Sequence, residues 1–340
     1  MKAALFHEHG GPDVLRIEDV PEPVPAPGEV RLRVRAAALN HLDLFVRRGL
    51  PHELVMPHIG GSDVAGIIDE IGERVTGWHI GERVVVDPSL SCGHCAACQR
   101  GEDVLCETYR ILGEHVAGAF AEYVVVPAAN LFRVPADFDD AHAAAAPLTF
   151  LTAWRGLVTR GRLRSGESLL VTGASGGAAI AAIRIARYLG ARILAITSTP
   201  FVDRVRALGV DSVFDRNDPD HRRSLFDATG RRGVDVVFDS VGQATHPDNV
   251  RALARAGRLV IYGATSGPHA EIDLRYIFWK QMDVLGTTMA NRSEFEAVMK
   301  LVFRRDLVPV VDGVLPLEQI RAAHERLERG EAFGKIVLVP

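Results

Sequence analysis

Over the first part of the chain, apolar and polar residues alternate in short runs. Val30-Arg31-Leu32-Arg33-Val34 has period two, and Val64 to Ile71 and Arg83 to Val86 are similar segments closed by Gly72, Gly77 and Gly81. Alternation over a few residues, stopped by glycine, marks half-buried strands joined by tight turns. Residues 1–151 therefore predict a compact β-rich domain. From Thr152 to Thr287 the period changes. Strand-like runs (Leu169-Leu170-Val171, Ile193-Leu194-Ala195-Ile196, Val234 to Phe238, Leu259-Val260-Ile261) alternate with helical segments. Between the first two, Ile180, Ile183, Ala186 and Leu189 keep helical spacing while Arg184 and Arg187 stay off that stripe. Gly190 is placed to cap the helix at its C-terminus. Such alternation predicts a doubly wound parallel sheet covered by helices on both faces over 152–287. The last stretch, 288–340, predicts a helix after Asn291, another around Leu317 to Arg329, and a final strand Lys335 to Val339. This segment is expected to return and complete the first domain.

Composition adds exclusions. A formal net charge of −4 offers nothing to nucleic acid or to an anionic membrane surface. No window approaches the ~18 uninterrupted apolar residues of a membrane span. The opening Met1-Lys2-Ala3-Ala4-Leu5-Phe6-His7 lacks the apolar core of a signal peptide, so a cytoplasmic protein is expected.

Two clusters carry chemistry. After the strand ending at Thr172, the chain reads Gly173-Ala174-Ser175-Gly176-Gly177-Ala178-Ala179 straight into the helix. Small residues there let the backbone turn sharply and aim helix N–H groups at a diphosphate. The spacing is G-x-x-G-x-x-A rather than G-x-G-x-x-G, and a bare glycine turn is the alternative. The strand–turn–helix–strand setting favours a dinucleotide. The second strand ends Ile196-Thr197-Ser198-Thr199, without the carboxylate that would take the ribose 2′-hydroxyl of NAD. Ser198 and Thr199 leave room for a 2′-phosphate and Arg204 could supply charge, so NADP(H) is the expected cofactor. Arg204 reads equally as a solvated helix residue.

The second cluster is Cys92-x2-Cys95-x2-Cys98-x7-Cys106, which holds all four cysteines of the protein. Four thiolates so close suit a tetrahedral zinc with every position filled, a site that folds a lobe and does no chemistry. Disulfides and an iron–sulfur cluster are the alternatives. His94, inside the cluster, reads as a loop residue.

Together these residues resemble the medium-chain dehydrogenase/reductase superfamily of zinc alcohol dehydrogenases and quinone oxidoreductases. Gly61-Ser62-Asp63-Val64-Ala65-Gly66 with Gly72, Val75-Thr76-Gly77 and Gly81-Glu82-Arg83-Val84 is similar to its glycine-spaced signature. The cysteine lobe followed by Gly118-Ala119-Phe120-Ala121-Glu122-Tyr123 resembles its structural-zinc region. Pro147 to Trp154, Phe238-Asp239-Ser240-Val241-Gly242 and Gly334-Lys335-Ile336-Val337-Leu338 resemble the quinone oxidoreductase branch. The resemblance implies a GroES-like catalytic domain, an inserted Rossmann domain and a homodimer formed largely through the cofactor domains. It carries cofactor contacts onto Thr152, Ser240, Gly263 and Lys335, with one structural zinc per chain; a surface lysine near the end of a strand is the alternative for Lys335.

The superfamily's catalytic zinc needs a Cys, a His and a third Cys, Asp or Glu. Here Asn40 stands at the cysteine of Asn40-His41-Leu42-Asp43, Ser62 replaces the histidine of Gly61-Ser62-Asp63, and Pro147-Leu148-Thr149 offers no strong ligand. An NADPH-dependent reductase of quinones or α,β-unsaturated carbonyls is therefore expected. Asn40 and Ser62 would face the substrate, Asp43 would orient them, and Thr152 would lie beside the nicotinamide. Asn40 and Ser62 could instead merely fill the vacated site with hydrogen-bonded side chains. His41 is a possible proton donor or a solvent-facing ring, and His115 is read as a loop residue near the cleft. The competing readings are an alcohol dehydrogenase that rebuilds a metal site from His41, Asp43 and Asp63, and a non-catalytic NADPH-binding sensor. Loops around Leu50 to Met56, His115 to Ala117 and Ile277 to Asn291 would set specificity.

Overall fold

A computed structural model describes residues Met1 to Pro340, which form two compact units, 1–148 with 290–340 and 149–289. The sequence places these boundaries at 151 and 287. In the first unit the long strand Glu29–Ala38 is the spine, pairing antiparallel with Asp63–Ile71 on one side and with Tyr123–Pro127 and Lys335–Val339 on the other. Its alternating residues explain why: Val30, Leu32 and Val34 are buried while Arg33 and Arg35 are exposed, the period-two signature of a sheet with one wet face. The terminal strand lies in register Val337↔Ala38 and Leu338↔Ala37, and the Leu39 amide donates to the Ile336 carbonyl at 2.9 Å. That register delivers Lys335 to the end of the spine, next to Asn40. A separate three-stranded sheet joins Lys2–Phe6 to Arg16–Asp19 and His58–Ile59.

Two glycines matter for the site. Gly61 has φ +100°, and a Cβ there would sit 2.8 Å from the Phe120 ring. Gly113 has φ +76°, and its Cβ would meet the Gly61 carbonyl carbon at 2.5 Å. Only glycine allows both the left-handed backbone and the close approach, so the turn at 111–116 is pressed directly onto the Gly61 backbone.

The second unit is a six-stranded parallel sheet. Its spatial order is Ser212–Asp215, Arg192–Thr197, Ser168–Val171, Val234–Asp239, Leu253–Ile261, Asp283–Gly286. In chain order this is 3-2-1-4-5-6, the arrangement of a dinucleotide-binding Rossmann sheet, whose ligand crevice opens where the first and fourth strands diverge. The helix Gly177–Tyr188 buries Ala179, Ile180, Ile183 and Ala186 against it, and Gly190, at φ +75°, follows the last turn. No helix is long and apolar enough to cross a membrane.

Candidate functional site

In the second unit, the crevice has a prepared floor. Gly173 adopts φ +57°, Ala174 N–H bonds to the Ile196 carbonyl at 3.0 Å, and Gly176 N–H to the Gly173 carbonyl at 3.0 Å. No side chain caps the helix that starts at Gly177, so its first amides remain for an anionic ligand. Gly173 to Ala178 thus form a tight small-residue turn leading into an uncapped helix N-terminus, a geometry that fits a phosphate. Opposite, at the end of the fourth strand, Asp239 is fully buried. It accepts from the Thr172 hydroxyl, from Thr245 Oγ1 at 2.9 Å and from Gly242 N–H at 2.9 Å. One carboxylate therefore ties the two diverging strands and holds the turn bearing Ser240. Gly263 lies against that turn, where a Cβ would come within 3.1 Å of Ser240 Cβ.

Thr152, buried in the helix Pro147–Trp154, belongs to this unit. Ser198 follows the second strand, with Thr199 and Arg204 exposed beyond it. Thr199 is engaged: Asn217 Nδ2 donates to its hydroxyl oxygen at 3.0 Å, and its side chain bonds to the Asp215 carboxylate. Sequence reading overlooked Asp215 because it ends the third strand rather than the second.

In the first unit the four cysteines converge. Cys92 and Cys98 sulfurs lie 3.9 Å apart, Cys95 and Cys98 sulfurs 3.5 Å, and all four thiols are free. Zinc–sulfur bonds of about 2.3 Å at tetrahedral angles place sulfurs about 3.8 Å apart. The set fits a closed zinc site and rules out formed disulfides in this structure. His94 is not a member of the cluster.

The Asn40 region is a buried polar network. Asn40 Nδ2 donates to Asp63 Oδ2 at 2.9 Å and to the Ala38 carbonyl at 3.3 Å, while its Oδ1 accepts from Lys335 Nζ. Lys335 Nζ also lies 2.9 Å from Asp63 Oδ2, and the other Asp63 oxygen accepts Leu148 N–H at 2.8 Å. Lys335 and Asp63 are 3 % and 0 % exposed, so this is an ion pair removed from water. Asp43 closes the network from below, accepting Asn40 N–H at 2.7 Å and Gly61 N–H at 3.1 Å. Burial pushes its carboxyl up to about 7, against the pull of those two amides and of Lys335.

These contacts redistribute the expected roles. Both ends of the Asn40 amide are spent within the protein, so it does not present a free group to a substrate. Lys335 is likewise held inside the first unit by Asp63 and Asn40, where the resemblance implied a cofactor contact. Asp43 bonds to Gly61, adjacent to Ser62. Ser62 is fully buried and its Oγ has no partner, which leaves it the one unengaged hydroxyl of the group. His41 is exposed as a residue, while its imidazole is desolvated by the groups packed around it. These, with the Lys335 and Arg48 charges, pull its pKa down to about 4. It is neutral at neutral pH. His41, Asp43 and Asp63 do not gather as metal ligands; His52, Glu114 and His115 do. Burial raises the Glu114 carboxyl to about 7. The Asp63–Lys335 pair was legible only as a lysine opening an otherwise apolar terminal strand.

Comparison with known proteins agrees with this architecture. The alcohol dehydrogenase GroES-like domain family matches residues 26–136, and the zinc-binding dehydrogenase family matches 177–304. The chain is 32% identical over 341 residues to an acryloyl-coenzyme A reductase of Metallosphaera sedula, covering 99% of each. It is 30% identical over 352 residues to a quinone oxidoreductase of Lama guanicoe, covering 100% of this chain and 97% of that one. A crystal structure of an NAD-dependent alcohol dehydrogenase superposes with a TM-score of 0.96 at 42% identity, covering 100% of both chains.

Proposed function

The chain belongs to the medium-chain dehydrogenase/reductase superfamily, and we propose that within it this protein is an NADPH-dependent reductase of α,β-unsaturated carbonyls or quinones. The observation that carries this reading is the Lys335 ammonium, bonded to both Asn40 and Asp63. A fixed positive charge among the residues that stand for zinc ligands repels a dication, so hydride transfer here proceeds without a metal at that position.

The energetics favour conjugate reduction. Oxidation of a simple alcohol needs alkoxide character, and a zinc ion can lower the pKa of bound water from about 15.7 to about 7, roughly 12 kcal/mol of help. Adding hydride to the β-carbon of an enone or thioester asks less. The electron pair moves onto one carbonyl oxygen, and a positioned donor there contributes about 3–4 kcal/mol. When bound, the dihydronicotinamide supplies the hydride. Ser62 is the donor we assign to the developing enolate oxygen, since its hydroxyl has no other partner; it is fully buried, so the assignment requires the incoming acceptor to uncover it. Asp43 is a positioning residue that fixes the backbone before it through Gly61 N–H. His41, held neutral, is suited to relay a proton from solvent rather than to bind as a cation. The acryloyl-coenzyme A reductase and quinone oxidoreductase relatives act, by name, on such acceptors.

NADPH is preferred over NADH on the ground that Ser198 and Thr199 stand where a 2′-hydroxyl carboxylate would. Asp215 beside Thr199 works against a 2′-phosphate, and Arg204 nearby works for it. A homodimer is supported by the edge of the Rossmann sheet: Leu274, Phe278, Trp279 and Val284 are exposed there, on the helix Leu274–Lys280 and the edge strand Asp283–Gly286. Free thiols in the cysteine lobe suit the reducing cytoplasm.

The test is oxidation of NADPH and of NADH with acryloyl and crotonyl thioesters, a benzoquinone, and simple aldehydes, with alcohols run in the reverse direction. Turnover concentrated on the conjugated acceptors is expected. Faster turnover of a simple alcohol than of any conjugated acceptor would restore the alcohol dehydrogenase reading, and tight NADPH binding with no turnover would leave a sensor.

A further inference from the structure

We propose that His52, Glu114 and His115 bind a divalent transition-metal ion that ties the 50–57 loop to the turn at 111–116. One ligand atom from each lies within 4.8 Å of the other two. The two imidazole rings are stacked, 4.5 Å between centroids and 7° from parallel, with Glu114 Oε1 3.8 Å from His115 Nδ1. His52 Nε2 is buried without a hydrogen-bond partner. A buried nitrogen lone pair left unsatisfied beside a second imidazole and a carboxylate is a costly arrangement for the empty protein. A metal ion satisfies all three groups at once.

The donor set specifies the class of ion. Two imidazoles and one carboxylate suit zinc or cobalt, whereas magnesium and calcium ask for oxygen throughout. Three protein ligands leave a fourth tetrahedral position for water or a ligand oxygen, unlike the closed cysteine site. Bonds of about 2.0–2.1 Å put ligand atoms about 3.4 Å apart, so closure from the present separations draws the ligand atoms together by about 1 Å and turns the two stacked rings toward the shared ion. One contact is exchanged: His115 Nδ1, the nitrogen nearest Glu114, accepts the Ile111 amide at 3.2 Å and would trade that bond for the metal.

One side of the site is rigid. Glu114 N–H and His115 N–H both bond to the Ile111 carbonyl, at 3.2 and 2.9 Å, and Gly113 is clamped against Gly61. His58 Nε2 adds a 3.0 Å bond to the Gly113 carbonyl. The other side, His52, rides on a loop where Pro51, Glu53 and Val55 are exposed. An ion here would fix the 50–57 loop onto the turn that packs against the Gly61 backbone. The inference stands apart from the substrate assignment, because neither geometry nor donor chemistry refers to it.

The experiment is cobalt(II) titration of the full-length, metal-stripped protein, followed by elemental analysis after gel filtration and by absorption spectroscopy. Two ions per chain are expected: one with the intense thiolate-to-cobalt charge-transfer absorption of the cysteine site, one with only weak visible bands of nitrogen and oxygen ligands. His52→Ala and, independently, Glu114→Gln should lose the second ion and keep the thiolate band, which also reports that the lobe is folded. One ion per chain in the unaltered protein at saturating cobalt overturns the proposal. So does a second ion that survives both substitutions.

Discussion

Replacing Lys335 by Met tests the buried network most directly. Met fills a similar volume but removes the charge, leaving Asp63, fully buried, with Asn40 Nδ2 and Leu148 N–H as its only donors. Removing one partner of a buried ion pair costs about 3–5 kcal/mol, because the remaining charge keeps its desolvation cost without the compensating attraction. For a unit of this size, each kcal/mol lowers the melting temperature by about 2–4 °C, so a fall of roughly 6–20 °C is expected at pH 7. The double variant Lys335→Met with Asp63→Asn should recover much of the loss, giving a coupling well above the few tenths of a kcal/mol typical of independent sites. Differential scanning calorimetry on the four proteins between pH 5 and pH 8 measures all of this. Additive single effects, or a Lys335→Met penalty below about 1 kcal/mol at every pH, would refute the assignment of Lys335 as the fixed charge of the site.

Ser62→Ala should lower kcat/KM for a conjugated acceptor by about 100-fold while leaving the melting temperature unchanged or slightly raised, because Oγ has no partner to lose; unchanged kinetics would remove Ser62 from the mechanism. Stripping zinc from the cysteine lobe should speed proteolytic cleavage around Cys92 to Cys106 and leave NADPH affinity, measured by fluorescence quenching, unaltered, since the cradle at Gly173 to Ala178 lies in the other unit. Asp43 has its pKa raised to about 7 by burial, so the folded chain holds a proton that the unfolded chain releases near its ordinary value of 3.8. Its contribution is complete at acid pH and lost as the pH rises through about 7. Asp43→Asn should therefore abolish a slope of about −1.4 kcal/mol per pH unit between pH 4 and 7, read as the difference between the two urea-unfolding profiles.

The strands, the phosphate turn and the cysteine site were legible because each is written in local spacing. Period-two runs name the spine Glu29–Ala38, a strand running into a glycine turn names the turn at Gly173, and four thiols within fifteen positions name a clustered four-cysteine site. What local spacing does not carry is register. Lys335 meets Asn40 only because the terminal strand pairs Val337 with Ala38, a contact across almost the whole chain. The same holds for His52 and Glu114, brought together by a turn that depends on Gly113 lying flat on Gly61. Asn40 shows how this changes chemistry. As a residue type at a former metal position it could face a substrate or fill a hole, and the deciding fact is a lysine about three hundred positions away. The substitutions at Asn40 and Ser62 are therefore not equivalent losses of metal ligands. Asn40 is bonded to Lys335 and Asp63 in a buried charge network, whereas the Ser62 hydroxyl has no partner. That asymmetry is why the proposed mechanism assigns the carbonyl to Ser62 rather than to Asn40.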